Sequence, residues 1–150
     1  PTEFAGEAAK GTSGVVDTVA NGSNTIGYAD ASQAGELGVA QIQVGDAFYG
    51  PTAEAAAALV DASPKVEGRG DHDWALELDR QAEGAYPVAL VSYVLVCETY
   101  QDPATAELVK AYVSYIASPE GQQQSAAAAG SAPLSSTMST NVQAALDSVS

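Results

Sequence analysis

The chain is poor in the residues on which most site chemistry depends. It has one cysteine, one histidine, one methionine and one tryptophan among 150 residues. With Cys97 alone, no disulfide forms within the chain. With His72 as the only imidazole and no cysteine cluster, a zinc centre would have to draw its ligands from elsewhere. A Ser-His-Asp set lacks the G-x-S-x-G elbow that would present its serine. No glycine loop ends in G-K-[ST], so the nucleotide-binding P-loop is absent. Basic residues are also scarce, five Lys and Arg against nineteen Asp and Glu, for a formal charge of −14. Nucleic acid and anionic membrane surfaces both require a basic face, and this balance opposes both. No apolar run approaches the ~20 residues of a membrane-spanning helix.

What remains is a globular composition, 46% hydrophobic and 16% charged, in a chain long enough for one core. The acidic excess fits a solvated, secreted-type surface. Cys97 ends the apolar run Val94-Leu95-Val96 and reads as a small buried hydrophobe. His72 between Asp71 and Asp73 reads as a solvated loop residue, and Arg69-Gly70-Asp71 as a chance tripeptide of common loop residues.

Periodicity and punctuation order the elements. Gly11-Thr12-Ser13-Gly14 leads into a helix striped by Val15, Val16 and Val19 and stopped by Asn21-Gly22. Thr25-Ile26-Gly27-Tyr28 predicts a short buried strand, with Gly27 where another backbone approaches closely. Val39 to Val44 alternates as a half-exposed strand closed by a Gly45-Asp46 turn. A helix runs from Pro51-Thr52 through Val60, with Thr52 at its N-cap and Glu54 in its first turn, and ends at Ser63-Pro64. Residues 65–84 form a polar connector with a short strand at Ala75 to Leu78. Tyr86 to Val96 is nearly continuous in apolar residues and predicts a strand buried on both faces. Asp102-Pro103 and Ser118-Pro119-Glu120 each start a helix. The first carries a stripe of Leu108, Val109, Tyr112, Val113 and Ile116, and the second stops at Gly130. Val142, Leu146 and Val149 mark a last helix from about Ser139. This order gives α/β architecture with too few strands for a complete sheet.

Gly11, Thr12, Ser13 and Gly14 are the ligand candidates from the residues alone. Small residues before a helix N-terminus expose N–H groups and hydroxyls that suit a phosphate. The competing reading is that such residues simply cap helices.

Several segments together resemble the phosphate-binding proteins of phosphate ABC transporters, the PstS type and most closely those of actinobacteria. They are Gly11 to Gly14 with its helix, Thr25-Ile26-Gly27-Tyr28-Ala29-Asp30-Ala31-Ser32-Gln33-Ala34, Pro51-Thr52-Ala53-Glu54 and Gly84-Ala85-Tyr86-Pro87-Val88. Ala106-Glu107-Leu108-Val109-Lys110-Ala111-Tyr112, Glu120-Gly121-Gln122 and Ala132-Pro133-Leu134 continue the series. Their shared order and spacing make the combination specific.

The resemblance implies the C-terminal part of a two-lobed, periplasmic-binding-protein-like fold of type II, from a larger protein. Residues 1–80 would be the end of the second lobe with its connector. Residues 81–150 would be the hinge-crossing strand and the C-terminal helices of the first lobe. The family's anion-gripping arginine and S-G-T segment lies N-terminal to the matched region, so residues 11–14 are not its counterpart. None of the family's direct ligands finds a matching position here. The implied function is capture of inorganic phosphate, through the N-terminal half, for a membrane ABC permease. It comes with no catalysis, cofactor, metal or nucleic acid. The implied location is extracytoplasmic, at the cell surface or in the periplasm, with a lipid anchor on the N-terminal half. The alternative is a binding-protein-like accessory subunit of a cell-envelope complex. A secreted phosphatase or hydrolase is disfavoured by the missing nucleophile and base. Residues 1–150 alone are expected to show no tight phosphate binding and to fold poorly, because the long apolar strand would lack neighbours.

Overall fold

The computed structural model describes residues 6–150. They form two compact units, one ending at Ala40 and the other running from Gln41 to Ser150.

The first unit is built on helix α1, Gly11–Asn21. Its Val15, Val16 and Val19 are half-buried, and Gly22 caps its end by donating its N–H to the Val19 carbonyl at 3.3 Å. The following chain folds back over the helix. Thr25 donates its hydroxyl to the same Val19 carbonyl at 3.1 Å, and Gly27 lies against the Val15 and Val19 methyls. What crowds Gly27 is therefore a pair of side-chain methyls, not the second backbone expected there. The strand expected there is absent too. Residues 25–28 pair with no strand, and Ile26 and Tyr28 are 88% and 64% exposed. β-branched and aromatic residues form a strand only where a neighbouring strand takes their backbone groups, and this unit contains none among its described residues.

The second unit opens with an antiparallel hairpin of β1, Ile42–Val44, and β2, Ala47–Tyr49. Its turn is Gly45-Asp46, with Gly45 at φ +60°. Val44 faces inward at 7% exposure, while Gln41 and Gln43 face outward as their alternation requires. Helix α2, Ala53–Ala62, follows. Thr52 caps it by accepting from the Ala55 N–H at 3.1 Å, and Leu59 is fully buried beneath it. Ser63 ends α2 by donating to the Leu59 carbonyl at 2.5 Å and accepts the Asp79 N–H at 3.0 Å, which ties the connector to the helix. The short strand expected at Ala75 to Leu78 reduces to a single antiparallel bridge between Lys65 and Leu76.

The long strand expected over Tyr86 to Val96 is absent. Tyr86 donates its N–H to the Ala55 carbonyl, and Ala85 is buried. Beyond Pro87 the chain joins no strand ladder. Leu90 is 80% exposed and Leu95 91%. Its apolar composition predicts burial on both faces, but no sheet lies beside it among the described residues.

Three helices complete the unit: α3, Pro103–Ala117; α4, Pro119–Ala129; and α5, Ser136–Asp147. Asp102 accepts from the Ala104 N–H at 3.1 Å and the Thr105 hydroxyl at 2.9 Å, as an N-cap should. The cap of α4 is Ser118, and Gly130, at φ +66°, terminates that helix in the left-handed conformation. Helix α3 packs against both α4 and α5. The core contains Ala106 and Val113 of α3, Leu146 of α5 and the following Val149. The expected stripe on α3 is split. Val113 is buried, whereas Leu108 and Tyr112 remain 71% and 65% exposed. The apolar arc is wider than the face that α4 and α5 cover. No helix among the described residues is long and apolar enough to cross a membrane.

Candidate functional site

The sequence candidates Gly11, Thr12, Ser13 and Gly14 form the first turn of α1. Gly11 enters at φ +69°, a conformation that favours glycine. The preceding residue, Lys10, supplies no side-chain cap. Gly11 and Ser13 are exposed, while Thr12 and Gly14 are half-buried, Gly14 against Ala9. The turn thus offers helix-terminal N–H groups without a capping side chain, a favourable field for an anion. The contact made by its own Thr12 side chain works the other way. The Thr12 hydroxyl donates to the Asp30 carboxylate at 3.1 Å, across eighteen residues of sequence. A fixed negative charge beside the turn complements the helix dipole and repels a second anion. Asp30 is the residue that motif reading missed, because nothing local marks the pairing.

A second polar cluster lies in the connector. Arg69 Nε donates to Asp73 Oδ2 at 2.6 Å, and Asp73 Oδ1 accepts the Ala75 N–H at 2.9 Å. The Ala75 N–H first, and then the Arg69 guanidinium, hold the Asp73 carboxyl below its usual value of 3.8. Lys65 donates to the Asp71 carbonyl at 2.8 Å, and its ammonium lies 4.3 Å from the centre of the Trp74 ring. His72 Nδ1 stands 3.7 Å from Glu98 Oε1. Arg69 and Asp71 of the Arg-Gly-Asp tripeptide are thus both engaged within this turn, Asp71 through its backbone carbonyl. No group of three His, Cys, Asp or Glu side chains suited to a metal occurs among the described residues.

Cys97 is exposed, which corrects its reading as a buried hydrophobe. The apolar run before it finds no cover, and the Cys97 N–H donates to the Tyr100 hydroxyl at 3.1 Å.

The PBP superfamily domain, described by a family model, matches residues 1–120. The chain belongs to this periplasmic-binding-protein-like family. The match runs from before α1 to the first residues of α4 and so includes the helix turn, the hairpin, the connector and the uncovered apolar run. No curated protein and no solved structure matches the chain. Membership in the PBP family makes this a solute-binding type of protein, and its mixture of helices with a β-hairpin is compatible with an α/β fold of that family.

Proposed function

We propose that this chain is the C-terminal part of an extracytoplasmic solute-binding protein that captures inorganic phosphate and delivers it to a membrane ABC importer. The family match over residues 1–120 carries the solute-binding part of this reading. Support for phosphate comes from the ordered likeness of the segments at 25–34, 84–88, 106–112 and 132–134 to the phosphate-binding type. In this reading the anion is gripped by residues N-terminal to the segment, and residues 11–14 serve as the helix entry behind the cleft. The Thr12 to Asp30 contact supports that division of labour, since it places a carboxylate where a second anion would be repelled. Lipid anchoring through the preceding part and the absence of catalysis belong to the same proposal.

The test is calorimetric titration of the intact parent chain with phosphate, and with sulfate as competitor. Saturable heat with phosphate is expected. No heat, together with stoichiometric co-purification of a protein partner, would replace the transport reading with that of an envelope accessory subunit. The uncovered side chains of Leu90, Leu95, Leu108 and Tyr112 are the observation favouring this second reading. Phosphoester turnover lost in His72→Ala would restore the enzyme reading.

A further inference from the structure

We propose that Asn21 is a modification site, converted spontaneously to isoaspartate and aspartate at the end of α1. The chain has three asparagines: Asn21 precedes Gly22, Asn24 precedes Thr25 and Asn141 precedes Val142. The reaction requires the backbone nitrogen of the next residue to reach the asparagine Cγ. The β-branched Thr25 and Val142 crowd that nitrogen, whereas Gly22 has no side chain to obstruct it.

The structure leaves the Asn21-Gly22 pair open. Both residues are exposed. Gly22 lies outside the helix at φ −87°, ψ 166°, and its N–H makes one long bond of 3.3 Å to the Val19 carbonyl. The Asn21 carboxamide is held by a single exposed bond, from Nδ2 to the Asp17 carbonyl at 2.8 Å. Fraying of the last turn releases both restraints together.

In the first step the Gly22 nitrogen attacks Asn21 Cγ. The N–Cγ bond forms, the Cγ–Nδ2 bond breaks, and ammonia leaves with the proton that Gly22 gives up. Water then opens the cyclic imide at either carbonyl. The net change is one water consumed and one ammonia released, with no oxidation or reduction.

The product alters this corner of the first unit. A carboxylate appears at the negative end of the α1 dipole, one turn from Asp17, and the donor to the Asp17 carbonyl is lost. Isoaspartate also lengthens the main chain just before Gly22. That residue is seated so closely on Thr25 and the Thr18 carbonyl that it has no room even for a methyl group. The turn carrying Gly27 onto α1 begins at this seat.

The test is incubation of the full chain at mildly alkaline pH, followed by peptide mapping and isoaspartyl methyltransferase labelling. Label should accumulate at position 21, with Asn24 and Asn141 retaining their amides, and it should be lost in Asn21→Gln. That substitution sits on an exposed helix end and spares the fold. Retention of the Asn21 amide to the same extent as Asn24 and Asn141 would overturn the proposal, as would label that appears only after denaturation.

Discussion

At the scale of single residues, two positions show how narrowly this chain is constrained. An added Cβ at Gly27 would stand 2.7 Å from Val15 Cγ1 and 2.9 Å from Val19 Cγ2. Both are ends of stiff β-branched side chains, so neither can rotate away cheaply. Gly27→Ala is expected to destabilise the first unit by about 1–3 kcal/mol, read as a shift in its urea midpoint. Gly35, where nothing lies within 4 Å, should respond only through its φ of +56°. The second position is Asp73. Its folded pKa lies below the usual 3.8, so its contribution is present above that value and is lost as the pH falls through the lowered one. An NMR titration of the carboxyl should therefore show a midpoint below 3.8. Arg69→Ala should move the midpoint only part of the way back, because the Ala75 N–H remains. That Gly27 is crowded could be read from the sequence, since a glycine amid strand-forming residues signals close approach, but its neighbours are the α1 valine methyls and not a second strand. Asp30 could not be read in this way, because its partner Thr12 lies eighteen residues away with no pattern joining them.

At the scale of elements, the difference between what could and could not be read lies in the range of the forces. Helix ends are decided within a turn. Thr52, Asp102, Ser118 and Gly130 all cap where their chemistry places them. Ser118 does so twice. Its hydroxyl donates to the Tyr115 carbonyl at 2.7 Å and accepts from the Gly121 N–H at 3.0 Å, closing α3 and opening α4. Ser118→Ala should therefore cost at least a normal cap, about 0.5–2 kcal/mol, measured by thermal unfolding. It should also loosen both helices in circular dichroism. Strands depend instead on neighbours that no local window contains. Thr25 to Tyr28 and Tyr86 to Val96 have the right residues, yet neither meets a partner strand among the described residues. The hairpin strand β2 was missed for the opposite reason. It is three residues long and exists because β1 is beside it.

At the scale of the whole molecule, the main fact is an uncharged apolar stretch, Pro87 to Cys97, in a chain of formal charge −14. A highly charged surface keeps copies apart, while an uncovered apolar stretch draws them together. Leu95, 91% exposed, is where the two tendencies can be separated. Leu95→Lys should reduce dye binding to apolar surface and raise solubility while leaving the melting temperature of residues 1–150 unchanged, since it removes no buried contact. A fall in melting temperature would show that Leu95 is covered in solution. The backbone near Ser150 has another consequence. Ser150 donates its N–H to the Glu98 carbonyl at 2.9 Å and accepts the Tyr100 N–H at 2.7 Å, across fifty-two residues in the first case. These bonds close the three helices into a ring. Helices form from nearby contacts, whereas shutting a ring of this size carries a loop-closure entropy on the order of a few kcal/mol. With α5 already packed on α3, the clasp is expected to open while that packing persists, which faster hydrogen exchange at the Ser150 and Tyr100 amides than in the middle of α3 would show.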